Sequence, residues 1–86
     1  MRRKILTQKF LRRLALFVRR HPNLEAKTHE AMNRLVAGDP HLRIHALHTP
    51  FNGFYATRIT QSYRLVFAFE PDAVIFIDIG SHDEVY

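Results

Sequence analysis

An imidazole changes charge near neutral pH, so histidines are the natural candidates for proton transfer at pH 7. The sequence has six, at positions 21, 29, 41, 45, 48 and 82. His82 is set apart by its surroundings: it follows an apolar run ending in Gly80 and precedes an aromatic, Tyr86, by four residues. The second group of interest is Arg64, in Tyr63-Arg64-Leu65-Val66-Phe67. It is a permanent cation inside a run that alternates like a strand, and it suits either an anion such as phosphate or a carboxylate partner at Asp78 or Glu84. His41, His45 and His48 invite a metal reading, but their spacing argues against one. On a strand, His45 and His48 point to opposite faces, and His41 lies roughly 13 Å from His45 at ~3.3 Å per residue. Zinc ligands meet within ~2 Å of one ion. No metal or other cofactor is expected.

These residues need elements to position them. Arg3 to Leu6 reads as a possible short first strand. Thr7 is a good N-cap, and from Gln8 to Arg20 the residues Phe10, Leu11, Leu14, Phe17 and Val18 recur at helical spacing. His21-Pro22 ends that helix, because the residue before proline resists helical backbone. A second helix starts near Asn23, with Leu24, Thr28, Ala31 and Leu35 on one face, and Gly38-Asp39-Pro40 stops it. The period then changes. Strands are expected over 43–48, 54–60, 63–69 and 74–79, joined by tight turns at 50–53, 61–62 and 70–72. Leu65, Phe67 and Phe69 share one face of the third of these strands, and Ile75, Ile77 and Ile79 share one face of the last. Arg64 and Asp78 then point to the opposite, uncovered face. The fold class is α+β: an N-terminal helical hairpin packed on one face of a small twisted antiparallel sheet. With 86 residues, the chain is one domain, 1–86.

Charge is distributed unevenly. The net charge is +5, and eight of the 13 basic residues fall within the first 20 positions, whereas five of the eight acids come from Glu70 onward. A basic stretch of this kind attracts polyanions, and Arg12, Arg13, Arg19 and Arg20 lie mostly off the apolar stripe of the first helix. Cysteine is absent, which excludes a disulfide scaffold and thiolate metal sites. No apolar run reaches the ~18 residues needed to span a membrane, and Lys9, Arg12 and Arg13 break up any signal-like apolar segment. The expected location is the cytoplasm.

Two strings, Tyr63-Arg64-Leu65-Val66-Phe67 and the terminal Ile79-Gly80-Ser81-His82-Asp83-Glu84-Val85-Tyr86, together with the helical hairpin before them, resemble the RelE/ParE toxin superfamily. The ending is similar to its YafQ-like and YoeB-like ribonucleases, and the stretch from His45 to Phe67 also fits the YafQ-like pattern. The resemblance covers nearly the whole chain. It implies the toxin of a type II toxin–antitoxin system: a growth-arresting endoribonuclease, or mRNA interferase, that enters the ribosomal A site and cuts mRNA without a metal. In that chemistry a 2′-hydroxyl attacks the adjacent phosphate and expels the 5′-oxygen, which calls for proton transfer and a cation at the phosphate.

Carried over by position, the resemblance makes Arg64 the cation at the scissile phosphate, His82 a general acid or base, Tyr86 an aromatic that stacks on or orients the RNA, and His45 a second acid/base candidate. Arg58 supplies a further cation for RNA, as do Arg12, Arg13, Arg19 and Arg20. Asp78 and Ser62 depart from the YafQ-like pattern. The implied partners are a cognate antitoxin protein in a hetero-oligomer, the ribosome and mRNA, with no membrane. Two alternatives keep the fold: a ParE-like toxin that binds DNA gyrase without cutting RNA, and a degenerate member that only binds its antitoxin. The presence of His82 near the end of the chain favours the nuclease.

Overall fold

The computed structural model describes residues 2–86. Strand β1 (Arg3–Leu6) leads into helix α1 (Gln8–Arg20). The Thr7 hydroxyl accepts the Phe10 N–H and donates to the Phe76 carbonyl, so one side chain caps the helix and ties its start to the sheet. Helix α1 ends at His21, and a 3₁₀ turn (Pro22–Leu24) turns the chain into helix α2 (Glu25–Ala37). Gly38 closes α2 in the left-handed conformation, φ 71°, with its N–H bonded to the carbonyls of Arg34 and Leu35. Then come strands β2 (His45–Ala46), β3 (Tyr55–Arg58), β4 (Tyr63–Glu70) and β5 (Ala73–Ser81), and a single-turn helix α3 (His82–Val85).

The sheet order is β1-β5-β4-β3-β2. Four strands form the expected antiparallel meander. Strand β1 departs from it by pairing parallel to β5, because α1 and α2 intervene and return the chain to the far edge of the sheet. The α+β reading with a helical hairpin on one face holds. The core is built from Phe10 and Phe17 of α1, Met32 and Leu35 of α2, and Leu65, Phe67, Val74, Phe76 and Ile79 of the sheet. Phe10 packs on Phe76 with ring centroids 5.4 Å apart. Thr28 and Ala31 are buried as the helical spacing requires, whereas Leu11 is exposed, at 47%.

The last strand differs from its simple alternation. Val66 pairs with Asp78 and Phe67 with Phe76, leaving Ile77 as an extra residue. This bulge shifts the side-chain period. The core therefore takes Val74, Phe76 and Ile79 rather than Ile75, Ile77 and Ile79, and Ile75 and Ile77 are only half-buried. The same shift corrects the placement of Asp78. It does not face an open surface but is 5% exposed and meets α1. Strand β2 is also shorter than the expected 43–48. Residues 41–42 turn and bend, and 43–44 are irregular.

Candidate active site

Arg64 lies on β4 directly opposite Arg58 of β3. Their neighbours Leu65 and Thr57 are a buried pair, and Leu65 belongs to the core shared with α1 and α2. Alternation therefore puts both arginines on the sheet face away from the helices. Side chains directly opposite on antiparallel strands stand about 5 Å apart at Cβ, and like charges there repel. A pair of arginines in that position is unfavourable for the fold alone and well suited to an anion held between them.

Helix α3 brings the other groups to this face. Ser81 accepts the Glu84 N–H through its hydroxyl while Glu84 accepts the Ser81 N–H through its carboxylate, a reciprocal capping box. The Ser81 N–H and hydroxyl, with Arg13 and Arg20 assisting, hold the Glu84 carboxyl below its ordinary pKa against the opposing effect of burial. Val85 is buried and anchors the turn. His82 and Tyr86, four residues apart, then meet edge-to-face, with ring centroids 4.5 Å apart. The Arg64 guanidinium lies 5.9 Å from the centre of the Tyr86 ring, at the outer reach of a cation–π contact. Phe51, from the loop between β2 and β3, adds a third ring 6.1 Å from Tyr86.

Among the described residues Arg64 has no ion-pair partner. Both carboxylates that its sequence position offered are engaged elsewhere. Asp78 pairs with Arg13 at 2.8 Å and Lys9 at 3.4 Å. Glu84 is held by Ser81 and lies 4.0 Å from Arg20. His82 is exposed, its Nδ1 3.6 Å from the Asp83 carboxylate. A free guanidinium, an accessible imidazole and aromatic rings thus share one patch. Such a patch can hold a phosphate, move a proton beside it and stack a base.

The other expected site residues fall in different places. His45 pairs with Ala56 across β2 and β3, on the Arg58–Arg64 face but one strand beyond Arg58 and two residues along. β2 is two strands from β4, which carries Arg64. Arg13 is not free for a ligand: besides Asp78, it donates to the Ile79 carbonyl at 3.4 Å. Arg12 and Arg19 are exposed on α1, on the other side of the sheet from Arg64, and Arg20 reaches toward α3. Two features escaped the sequence reading. Helix α3 had a signal in Ser81-x-x-Glu84, the capping-box spacing. Phe51 had a weaker one, as a large apolar side chain inside a Pro-Phe-Asn-Gly turn.

Two helices on one face of a five-stranded sheet, closed by a single-turn helix, define a small α+β domain. The chain has the fold of YafQ from E. coli strain BL21(DE3), with TM-score 0.88, 17% identity, and coverage of 100% of this chain and 99% of that one. A copper-bound mutant toxin from Helicobacter pylori gives 0.86 and 22% identity over the whole of both chains. A YoeB–YefM toxin–antitoxin complex from Staphylococcus aureus gives 0.77 and 14% over 95% and 98%. The sequence matches no family model and no curated protein. The fold implied by the resemblance to the RelE/ParE superfamily is thus the fold observed.

Proposed function

We propose that this chain is the toxin of a type II toxin–antitoxin system and acts as a ribosome-dependent endoribonuclease. The observation that carries the proposal is the unpaired Arg64 beside His82 and Tyr86, in a fold shared with YafQ and YoeB. The mRNA lies on the Arg58–Arg64 face. Its 2′-hydroxyl attacks the adjacent phosphorus while the bond to the 5′-oxygen breaks, giving a cyclic phosphate and a free 5′-hydroxyl. Arg64 stabilises the charge that builds on the phosphate oxygens. His82 exchanges one of the two protons involved and solvent the other. Tyr86 and Phe51 present faces on which a base stacks, a contact worth ~1–3 kcal/mol. His45, two strands from Arg64 on the same face, is a second acid/base candidate.

The exposed cations of α1, Arg12 and Arg19, face away from the cut. They serve a second polyanion surface, ribosomal RNA or an acidic antitoxin segment. The partner is a cognate antitoxin, as in the DinJ–YafQ and YoeB–YefM complexes, and it folds on contact with the toxin. No helix among the described residues is long and apolar enough to cross a membrane, and the place of action is the cytoplasm. The test is induction of the chain and its variants in bacteria. Wild type arrests growth, while His82→Ala and Arg64→Ala, folded to the same melting temperature, do not. Full toxicity in both variants would contradict the site. Toxicity that survives His82→Ala together with DNA breaks would point to gyrase, and harmless wild-type protein to a chain that only binds its antitoxin.

A further inference from the structure

At the β2–β3 edge Arg58 also lines a hollow of about 420 Å³, together with Arg34 of α2 and with His41, Leu42, Arg43, His45 and Thr57. His41 and His45 both line this hollow, since regular strand begins only at His45. The charges in it are unequal in their commitments. Arg34 is held by Asp39 at 2.7 Å. Arg43 and Arg58 have no ion-pair partner among the described residues, and no carboxylate lines the hollow. Its floor is fixed: the buried Thr57 hydroxyl donates to the Arg43 carbonyl at 2.6 Å, pinning the backbone that carries Arg43. The hollow is therefore a positioned, cationic pocket that shares Arg58 with the Arg58–Arg64 pair.

We propose that this pocket, with Arg43 as its principal cation, binds a second RNA phosphate, a neighbour of the phosphate held at Arg64. The proposal rests on the reading that the Arg58–Arg64 face takes RNA. Arg58 stands opposite Arg64 across β3 and β4 and also lines the pocket, so a strand held at Arg64 has the pocket's cations within reach past Arg58. Phosphate contacts position a strand without reading its sequence. The pocket accordingly fixes the register of the RNA at the cut, and the aromatic patch at Tyr86 holds a base.

The test measures binding of a fluorescent twelve-nucleotide RNA in the His82→Ala protein, where the strand stays whole, as a function of salt. Arg43→Ala is expected to weaken binding about tenfold at low salt, as for loss of one charge-assisted contact. It should also reduce the slope of log affinity against log salt by about 0.7, the single-strand value for one phosphate. The Thr57 bond goes to the Arg43 backbone, so this variant should keep its fold, and Arg43→Lys, which keeps the charge, should keep the slope. Arg3→Ala removes the same charge at the opposite edge of the sheet, where Arg3 pairs with Asp72, and should leave the slope unchanged. Equal effects of Arg43→Ala and Arg3→Ala would overturn the proposal. So would an Arg43→Ala protein that binds RNA normally but loses a poly-glutamate peptide, which would give the pocket to an acidic protein segment. Because no cleavage is read, failure here leaves the nuclease assignment standing. Growth arrest that survives His82→Ala would remove the nuclease assignment and leave the binding result intact.

Discussion

Two clusters of charge lie near the C-terminal end of strand β5, and they are built in opposite ways. At Asp78, a nearly buried carboxylate is met by Arg13 and Lys9 from α1 and by the Ile79 N–H. Every charge there has a partner, and the cluster fastens the first helix to the bulged strand. At Arg64, the guanidinium faces a like charge across the strand pair and finds no carboxylate among the described residues. An exposed imidazole and the rings of Tyr86 and Phe51 surround that end of the sheet. A satisfied cluster is what folding alone produces, since an unpaired buried charge is costly. An unsatisfied, accessible one is what a ligand completes. The contrast makes Asp78 a structural anchor and, on the proposed reading, leaves Arg64 for a ligand, although both are charged residues set in strands of apolar alternation.

The largest expected effects break the Arg64 cluster and leave the fold alone. Arg64→Ala and His82→Ala should each lower mRNA cleavage on the ribosome by about 10²–10³-fold, with thermal melting unchanged. The converse experiment strikes the structural cluster. Asp78→Ala leaves Arg13 half-buried without its partner and should cost about 2 kcal/mol, discounted for that partial exposure. In a domain of this size that lowers the melting temperature by roughly 10 °C, while toxicity at low temperature persists. Tyr86→Ala should fall between the clusters, reducing cleavage about tenfold through lost stacking, and Tyr86→Phe should restore most of it. A loss in Tyr86→Phe as deep as in His82→Ala would show that the hydroxyl, not the ring, matters.

The smallest effect concerns pH. The Glu84 carboxyl is held below its ordinary pKa by the Ser81 N–H and hydroxyl, with Arg13 and Arg20 assisting. Its contribution to holding α3 is therefore fully present above the ordinary glutamate range and is lost as pH falls through the lowered folded value. The His82–Tyr86 ring contact, followed by NMR, should persist at neutral pH and weaken only in acid. In Glu84→Gln the acid-dependent part should disappear. An unchanged acid transition in that variant would mean that another group governs α3.

Much of this was legible in the sequence wherever one local rule acted alone. Thr7 and His21-Pro22 bound α1 at the expected positions, and the 4-3-4 spacing of α2 buried Thr28, Ala31 and Leu35. The terminal His-x-x-x-Tyr was legible as a pair, although the turn that joins its two rings was not. What could not be read depended on partners far away in the chain. The bulge at Ile77 arises from pairing with Val66 and Phe67, so the plain alternation of Ile75, Ile77 and Ile79 misled, and it carried Asp78 to the wrong face. The parallel pairing of β1 with β5 depends on where two helices return the chain. Arg13 sits in the basic run like its neighbours, and only the tertiary fold shows that it is occupied by Asp78 while Arg12 and Arg19 are exposed.

The central claim is that the Arg64–His82–Tyr86 patch cuts translated mRNA. It is tested most directly by mapping the 5′ ends of one reporter transcript after induction of the chain in bacteria, with and without a working start codon. New ends should arise inside the reading frame of the translated transcript only, and be absent when His82→Ala is induced instead. Growth arrest with no new ends would contradict it, as would equal cutting of the untranslated transcript.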